Sequence, residues 1–383
     1  MQRSIDRILT THAGSLPRPA DLLDAVQAPE QGRALDQTAY AGRLRGAVAD
    51  IVRQQVDLGI DIVDDGEFGK PSFVSYVNDR LGGFEPDTQA RQNSWSTSRE
   101  ANSFPEFYAA TLAASRQSRK VCTGAISYRG QAHLQRDIDN LKAALNGAKP
   151  AEAFMPAISP ASASDWQRNA YYKTDEEYLF AVADAMREEY EAIVAAGFLL
   201  QIDDPQFVTQ WIKEPDLTLA QYRKWAEGRV DALNHALRNI PPEKVRHHTC
   251  YGINMGPRIH DMELKHIVDI VLKIRAGAYS FEAANPRHEH EWTVWQDARL
   301  PDGKALIPGV ISHSTVLVEH PELVAQRIER YAKVVGRENV IAGADCGFSA
   351  QARRDPDIHP SVVWAKFEAL SEGARLATKE LWG

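Results

Sequence analysis

A chain of 383 residues that is 44% hydrophobic and 25% charged can bury one large core or two medium ones, which excludes a disordered or fibrous protein. Its formal net charge of −8, with no block of lysine and arginine, argues against nucleic acid or a membrane surface as its main partner. Three cysteines make no disulfide framework, and no run of about 18 apolar residues exists to span a bilayer, so the expected setting is cytoplasmic.

The opening residues carry no apolar run of signal-peptide length, and the first predicted strand begins almost at once, over 8–13. Gly14 and Ser15 turn it into the stop formed by Pro17 and Pro19. A helix follows over 38–58, its stripe made by Leu44, Val48, Ile51, Val52 and Val56, and Gly59 ends it. Next comes an apolar run that closes on Asp64, Asp65 and Glu67. The order helix, glycine, apolar run, acid then repeats. Thr174 and Glu177 fit a capping box for a helix over 174–196, Gly197 stops it, and Phe198 to Ile202 lead into Asp203 and Asp204. A third helix uses Leu264, Ile267, Val268, Val271 and Ile274, with Gly277 after it and Glu282 at the end of the strand. A fourth starts near Pro321, carries Val324, Ile328, Tyr331 and Val335, stops at Gly336, and leads to Asp345 and Cys346.

Strands are expected at 8–13, 60–65, 153–158, 198–203, 245–250, 278–282, 306–311 and 340–345. Eight strands separated mostly by helix-length segments predict a (β/α)8 TIM barrel, read as one domain over 1–383 with an insertion at about 70–150. Within the insertion, 121–126 reads as part of a hairpin. The polar segment 92–99 reads as a loose surface excursion, with a lid over 85–120 as the alternative.

Arg246-His247-His248-Thr249-Cys250 places an imidazole and a thiol two residues apart. Side chains alternate across a strand, so His248 and Cys250 share a face. Glu282 and Cys346 end other strands, and together the four offer N, S, O and S donors, a set that suits tetrahedral Zn²⁺ better than Mg²⁺, Ca²⁺ or Cu²⁺. The spacing matches no zinc-finger pattern, and on spacing alone two buried cysteines and a strand-end carboxylate remain an equal reading. In a barrel, however, all four fall at carboxyl ends of strands, where such folds keep their chemistry.

The chain resembles the C-terminal catalytic domain of cobalamin-independent methionine synthase across nearly its whole length. The matching pieces are Thr10-Thr11-His12-Ala13-Gly14-Ser15, Asp65-Gly66-Glu67-Phe68, Gln201-Ile202-Asp203-Asp204-Pro205, His248-Thr249-Cys250-Tyr251, Glu282, Gly309-Val310 and Asp345-Cys346-Gly347. The resemblance implies that His248, Cys250, Glu282 and Cys346 hold a catalytic zinc, and that Ser15, Glu67 and Asp203 bind the homocysteine portion. It implies further that Trp166 packs against a folate ring and that His313 delivers a proton to the leaving group. The expected activity is a zinc-dependent methyl transfer from a folate-like donor, such as 5-methyltetrahydrofolate, or from another methyl donor, to homocysteine or a related thiol. The chain departs from that pattern at Asp204, in place of a glutamate, and at Gly69-Lys70, in place of an acidic and basic pair.

Two other readings remain at this point. One is a zinc-dependent alkyltransferase or lyase acting on thiols of the coenzyme M type, for which Arg129, Arg258 and Arg287 are the candidate cations. The other is a non-catalytic corrinoid- or folate-binding barrel with structural zinc. Among other residues, His288-Glu289-His290-Glu291 reads as a solvated loop with His288 as a possible substrate contact, His12 as a weak site candidate, and Cys122 as buried filler. Neither a Walker A pattern nor G-x-G-x-x-G occurs, so no nucleotide site is expected.

Overall fold

The computed structural model of the chain describes residues 1–27, 36–89, 94–112, 119–252, 256–349 and 358–383. Eleven strands occur among them: β1 (Leu9–Thr10), β2 (Ile62–Val63), β3 (Leu81–Pro86), β4 (Lys120–Tyr128), β5 (Glu152–Ile158), β6 (Arg168–Asn169), β7 (Leu199–Asp203), β8 (Val245–Thr249), β9 (Ala278–Phe281), β10 (Ala305–Ile311) and β11 (Ile341–Ala344).

Eight of these pair in parallel in the order β1-β11-β10-β9-β8-β7-β5-β2. The two ends of that order meet at a seam bridged by other bonds. The Asp61 amide donates to the Thr10 carbonyl at 3.2 Å, Asp61 Oδ2 accepts the Thr10 amide at 2.9 Å, and Thr11 Oγ1 donates to the Ile62 carbonyl at 3.0 Å. The result is a nearly closed (β/α)8 barrel. β3 and β4 form the inserted antiparallel hairpin expected around 121–126, and β6 adds to β4 as a third strand.

The strands read as continuous apolar runs because both faces are covered. Outward residues such as Val245, Tyr279, Leu306 and Val340 pack against the helices, including Pro321–Val335 and Pro360–Trp382. Inward residues change character along the barrel axis. A dry floor is made by Leu9, Ile62, Phe154, Leu199, Ala278, Ala305, Ile307 and Ile341, from seven of the eight barrel strands. The eighth supplies Arg246, whose guanidinium lies 4.1 Å from the Phe154 ring centre and donates to Thr11 Oγ1 and the His12 carbonyl at 2.8 and 2.6 Å. With a side-chain period of two, polar groups follow toward the carboxyl end: Gln201 is level with Arg246, Asp203 with His248 and Ser280, and Cys250 and Glu282 come one step further along their own chains.

Several expectations need correction. Strands expected over 8–13 and 60–65 are only two residues long, because the chain leaves the sheet at once to build the turns around Gly14 and Gly66. The helix expected from Leu264 to Ile274 is a 3-10 turn, Leu264–His266, followed by a single helical turn, Val268–Val271. Its β-branched run lowers helix propensity, and Arg223 Nη1 captures the His266 carbonyl. The capping box at Thr174 is half formed: Thr174 Oγ1 accepts the Glu177 amide, but the Glu177 carboxylate takes the amide of Lys173 instead.

The loose excursion at 92–99 also fails as an expectation for its described part, residues 92 and 93 lying outside the described residues. Ser98 caps the helix Arg99–Ser103, and Glu100 is fully buried. Arg99 stacks 3.8 Å from the Trp211 ring centre and donates to the Trp211 and Leu217 carbonyls. Among the described residues no helix is long and apolar enough to cross a membrane.

Candidate metal centre

The ends of β8, β9 and β11 bring the four sequence-predicted donors to one rim of the barrel. Donor atoms of His248, Cys250 and Cys346 lie within 4.8 Å of one another, and those of Glu282, His313 and Cys346 form a second such group. An ion held at 2.0–2.3 Å from each ligand places its donors up to about 4.6 Å apart, so this spacing fits a single small cation. All five residues are buried.

His248 is poised as a ligand. Its Nδ1 meets Ser280 Oγ at 3.1 Å, which fixes the ring, while Nε2 is buried with no hydrogen-bond partner among the described residues. Burial, reinforced by Arg246, pulls its pKa down to about 3, so the ring is neutral at any ordinary pH. A neutral imidazole is the form that binds a metal. Cys250 Sγ and Cys346 Sγ are 3.2 Å apart, and the Gly252 amide donates to Cys250 Sγ at 3.3 Å. The contact with Cys250, with burial added, pushes the Cys346 thiol well above its usual range. Two thiolates at this distance repel strongly, and a divalent cation is what lets both ionise.

Glu282 is held by residues that the sequence did not reveal. Its Oε2 accepts from Arg258 Nη1 and Asn285 Nδ2, each at 2.8 Å, and its Oε1 accepts the Tyr251 amide at 3.3 Å. Burial raises its pKa against the opposing pull of Arg258. Just past β11, Asp345 Oδ1 accepts the amides of Ala283 and Ala284 at 2.7 Å, fixing the turn just beyond Glu282. Arg258 also donates to Asp261 Oδ2 at 2.7 Å, and its backbone sits in the left-handed region at φ 57°. That turn is clamped from the insertion: Glu100 accepts the Arg258 and His260 amides at 3.0 and 2.8 Å.

His288 and Glu291 were expected in a solvated loop; both are buried instead. His288 Nδ1 bonds Glu291 at 2.8 Å, Nε2 bonds Asp261 at 3.0 Å, and the ring lies 4.0 Å from the Tyr251 ring centre. Burial pulls the imidazole pKa down, but the bonds to Asp261 and Glu291 outweigh it and push it up to about 9. A raised folded-state pKa gives stability that is fully present below about pH 6.5 and lost as pH rises through about 9, an effect of about 3 kcal/mol. Urea unfolding of the wild-type chain across that window should show the loss, and His288→Gln should flatten it; identical slopes would refute the assignment.

The remaining expected site residues divide. Ser15 packs against Gly347, where a Cβ would overlap Ser15 Oγ, so it adjoins the Cys346 turn. Glu67 and Asp203 are buried near one another: burial first, then Glu67, raises the Asp203 pKa well above the carboxylate range. Glu67 is met by Lys70, a contact the sequence reading did not foresee, with Nζ 3.2 Å from Oε2. Trp166 ends the helix Pro160–Trp166, partly exposed, with the Arg119 guanidinium 5.7 Å from its ring centre.

His12 faces the core, bonded to Gln55 at 2.8 Å and packed on Phe154 and Phe367, with its pKa down to about 3 through burial. Cys122 is buried, as expected of a filler. The three candidate sulfonate-binding arginines are engaged or placed elsewhere: Arg258 on Glu282, Arg287 on the Arg258 and Ile259 carbonyls, and Arg129 in the hairpin beside Gly82.

The family model described as "Cobalamin-independent synthase, Catalytic domain" matches residues 8–149 and 157–359. A methionine synthase of Saccharolobus islandicus is 23% identical over 375 residues, covering 97% of this chain and 95% of its own. Another, of Sulfolobus acidocaldarius, is 24% identical over 382 residues, covering 100% of this chain and 95% of its own. Among solved structures, a B12-independent methionine synthase from Shewanella sp. W3-18-1, in complex with selenomethionine, superposes with a TM-score of 0.74 at 21% identity. That alignment covers 98% of this chain and 99% of the other.

Proposed function

The chain belongs to the cobalamin-independent synthase catalytic-domain family and is similar to methionine synthases, and from that premise we propose that it methylates a small thiol, homocysteine or a relative of it. The methyl donor in this reading is folate-like, and the setting is cytoplasmic methionine biosynthesis. The observation that supports it is the convergence of two overlapping donor triplets on one barrel rim, with His248 Nε2 left bare.

In this reading His248, Cys250, Glu282 and Cys346 hold Zn²⁺. Set against one imidazole, two thiolates and a carboxylate, the ion would stabilise the acceptor sulfur as a thiolate at neutral pH and leave it nucleophilic. The reacting sulfur forms its bond to the methyl carbon as the donor's bond to that carbon breaks. The electron pair goes to the leaving atom, and His313, beside Glu282 and Cys346, supplies the proton it needs. Ser15, Glu67 and Asp203 line the acceptor subsite, and Trp166 offers a flat face to the donor. Burial of the ligands excludes water, which strengthens every charge interaction at the reacting centre.

Zinc absorption spectroscopy on the metal-loaded protein tests the reading. One sulfur should join the coordination shell when homocysteine is added. A shell that is the same with and without thiol would mean a structural metal, and the proposal would be abandoned.

A further inference from the structure

We propose that Lys366 is a positioning residue for His313: by way of Glu319 it sets the first turn beyond β10, and with it the place of the acid. The inference rests on the reading above, in which His313 supplies the proton, and adds what holds that acid still.

The sheet carries the chain as far as Ile311, whose carbonyl accepts the Asp345 amide at 3.0 Å. His313 follows two residues later, buried, in one donor group with Glu282 and Cys346. The segment from there to His320, which caps the helix Pro321–Val335, has little apolar hold on the fold. Val316, Leu317 and Val318 are 63%, 73% and 45% exposed, so the side chains that would ordinarily pin such a connection lie in solvent. Ser312 Oγ meets Ser314 Oγ at 2.9 Å and Thr315 Oγ1 accepts the Leu317 amide at 3.1 Å, but both bonds stay within the segment.

The grip from outside is polar. Glu319 folds back so that its Oε1 accepts the Ser312 amide at 2.8 Å, which closes the segment into a loop right beside His313. Oε2 of the same carboxylate accepts Lys366 Nζ at 2.9 Å, and the ammonium donates to the Leu317 carbonyl as well. Lys366 projects from the helix Pro360–Trp382 and is 0% exposed, a place lysine takes almost only when paired. A buried ion pair is a poor device for stability, because desolvation cancels much of the attraction and apolar residues of like volume serve as well or better. What this pair does supply is direction. One carboxylate is held on one oxygen by the amide next to the acid and on the other by a cation anchored in a long helix. A proton donor must stay within about 2.6–3.2 Å of the atom it serves, and a misplacement of about 1 Å costs about a hundredfold in rate.

Two methyl donors separate a positioning role from a structural one. Transfer from 5-methyltetrahydrofolate to homocysteine breaks a carbon–nitrogen bond, and the nitrogen keeps the electron pair and takes a proton. Transfer from methyl iodide to the same thiolate breaks a carbon–iodine bond, and iodide leaves with the pair and needs no proton. The ratio of the two rates on zinc-loaded protein therefore reads the acid and not the thiolate. His313→Gln should lower that ratio by about 10²- to 10⁴-fold, the usual contribution of a general acid. Lys366→Met and Glu319→Ala should each lower it by about a hundredfold. A residue that only stabilises the fold changes both rates together, so an unchanged ratio in either variant, beside a lowered one in His313→Gln, overturns the proposal and leaves the acid reading standing. An unchanged ratio in His313→Gln, or no transfer from the folate by the wild-type chain, removes the acid reading and this inference with it. Hydrogen exchange on the metal-free chain reads the grip without turnover: the Ser312 amide should exchange about tenfold faster in Glu319→Ala, and an unchanged rate also overturns the proposal. Should Lys366→Met fail to fold, Glu319→Ala decides alone.

Discussion

Cys346→Ser should abolish tight metal retention and lower methyl transfer by at least about a thousandfold, the scale on which a metal contributes to charge stabilisation. Cys346 is the one residue common to both donor triplets, so its loss breaks the geometry on both sides. The substitution should leave the apo fold intact, because it removes a sulfur crowded at 3.2 Å against Cys250 and creates almost no cavity. Elemental analysis after dialysis gives the first readout. Thermal unfolding with and without zinc gives the second, since a ligand that binds only the native state raises its stability with concentration. A variant that retains one equivalent of zinc and still melts higher in its presence would show that the metal sits elsewhere.

Arg258→Met should destabilise the chain by about 3–5 kcal/mol, the usual result of removing one partner from a buried ion network. The guanidinium bridges Glu282 and Asp261 with bonds of 2.8 and 2.7 Å, and all three side chains are buried. Removing it leaves Asp261 with His288 as its bonded cation, and Glu282 with only the neutral donors Asn285 Nδ2 and the Tyr251 amide. Arg258→Lys should recover little, because a single ammonium cannot reproduce the planar fork that reaches both acids. Chemical denaturation measures the loss; a change under 1 kcal/mol for the methionine variant would mean that water takes over the role of the guanidinium.

Much of the barrel was legible in the sequence, because four of its units announce themselves as an apolar-striped segment ended by glycine and an apolar run closing on an acid. Period-two alternation was enough to put His248 and Cys250 on one face, and strand ends were enough to bring Glu282 and Cys346 to the same rim. What remained hidden depends on contacts between distant segments. Arg258 lies in a turn with no periodicity, and its partners Glu100, Asp261 and Glu282 converge on it from three places in the chain. The Gly69-Lys70 pair was visible as a departure from the family pattern, but the contacts of Lys70 with Pro156 and Tyr76 were not. The His288 segment was misjudged because it follows Pro286 with no strand or helix period to fix it, whereas Asp261 supplies a counter-charge to His288 from another loop. The broken helix at 264–274 has the same origin: an apolar period was present, but a capture of its backbone by Arg223 decided the outcome.

The grip of Glu100 on the amides of Arg258 and His260 has a bearing on how this scaffold can be altered. The excursion between the second and third barrel strands is not spare polypeptide that an engineer could trim to obtain a leaner catalyst. One carboxylate from it sets the angle of a turn, and that turn aims the guanidinium that steadies Glu282. Shortening the excursion without supplying a substitute for that carboxylate would loosen the rim from a point far outside it.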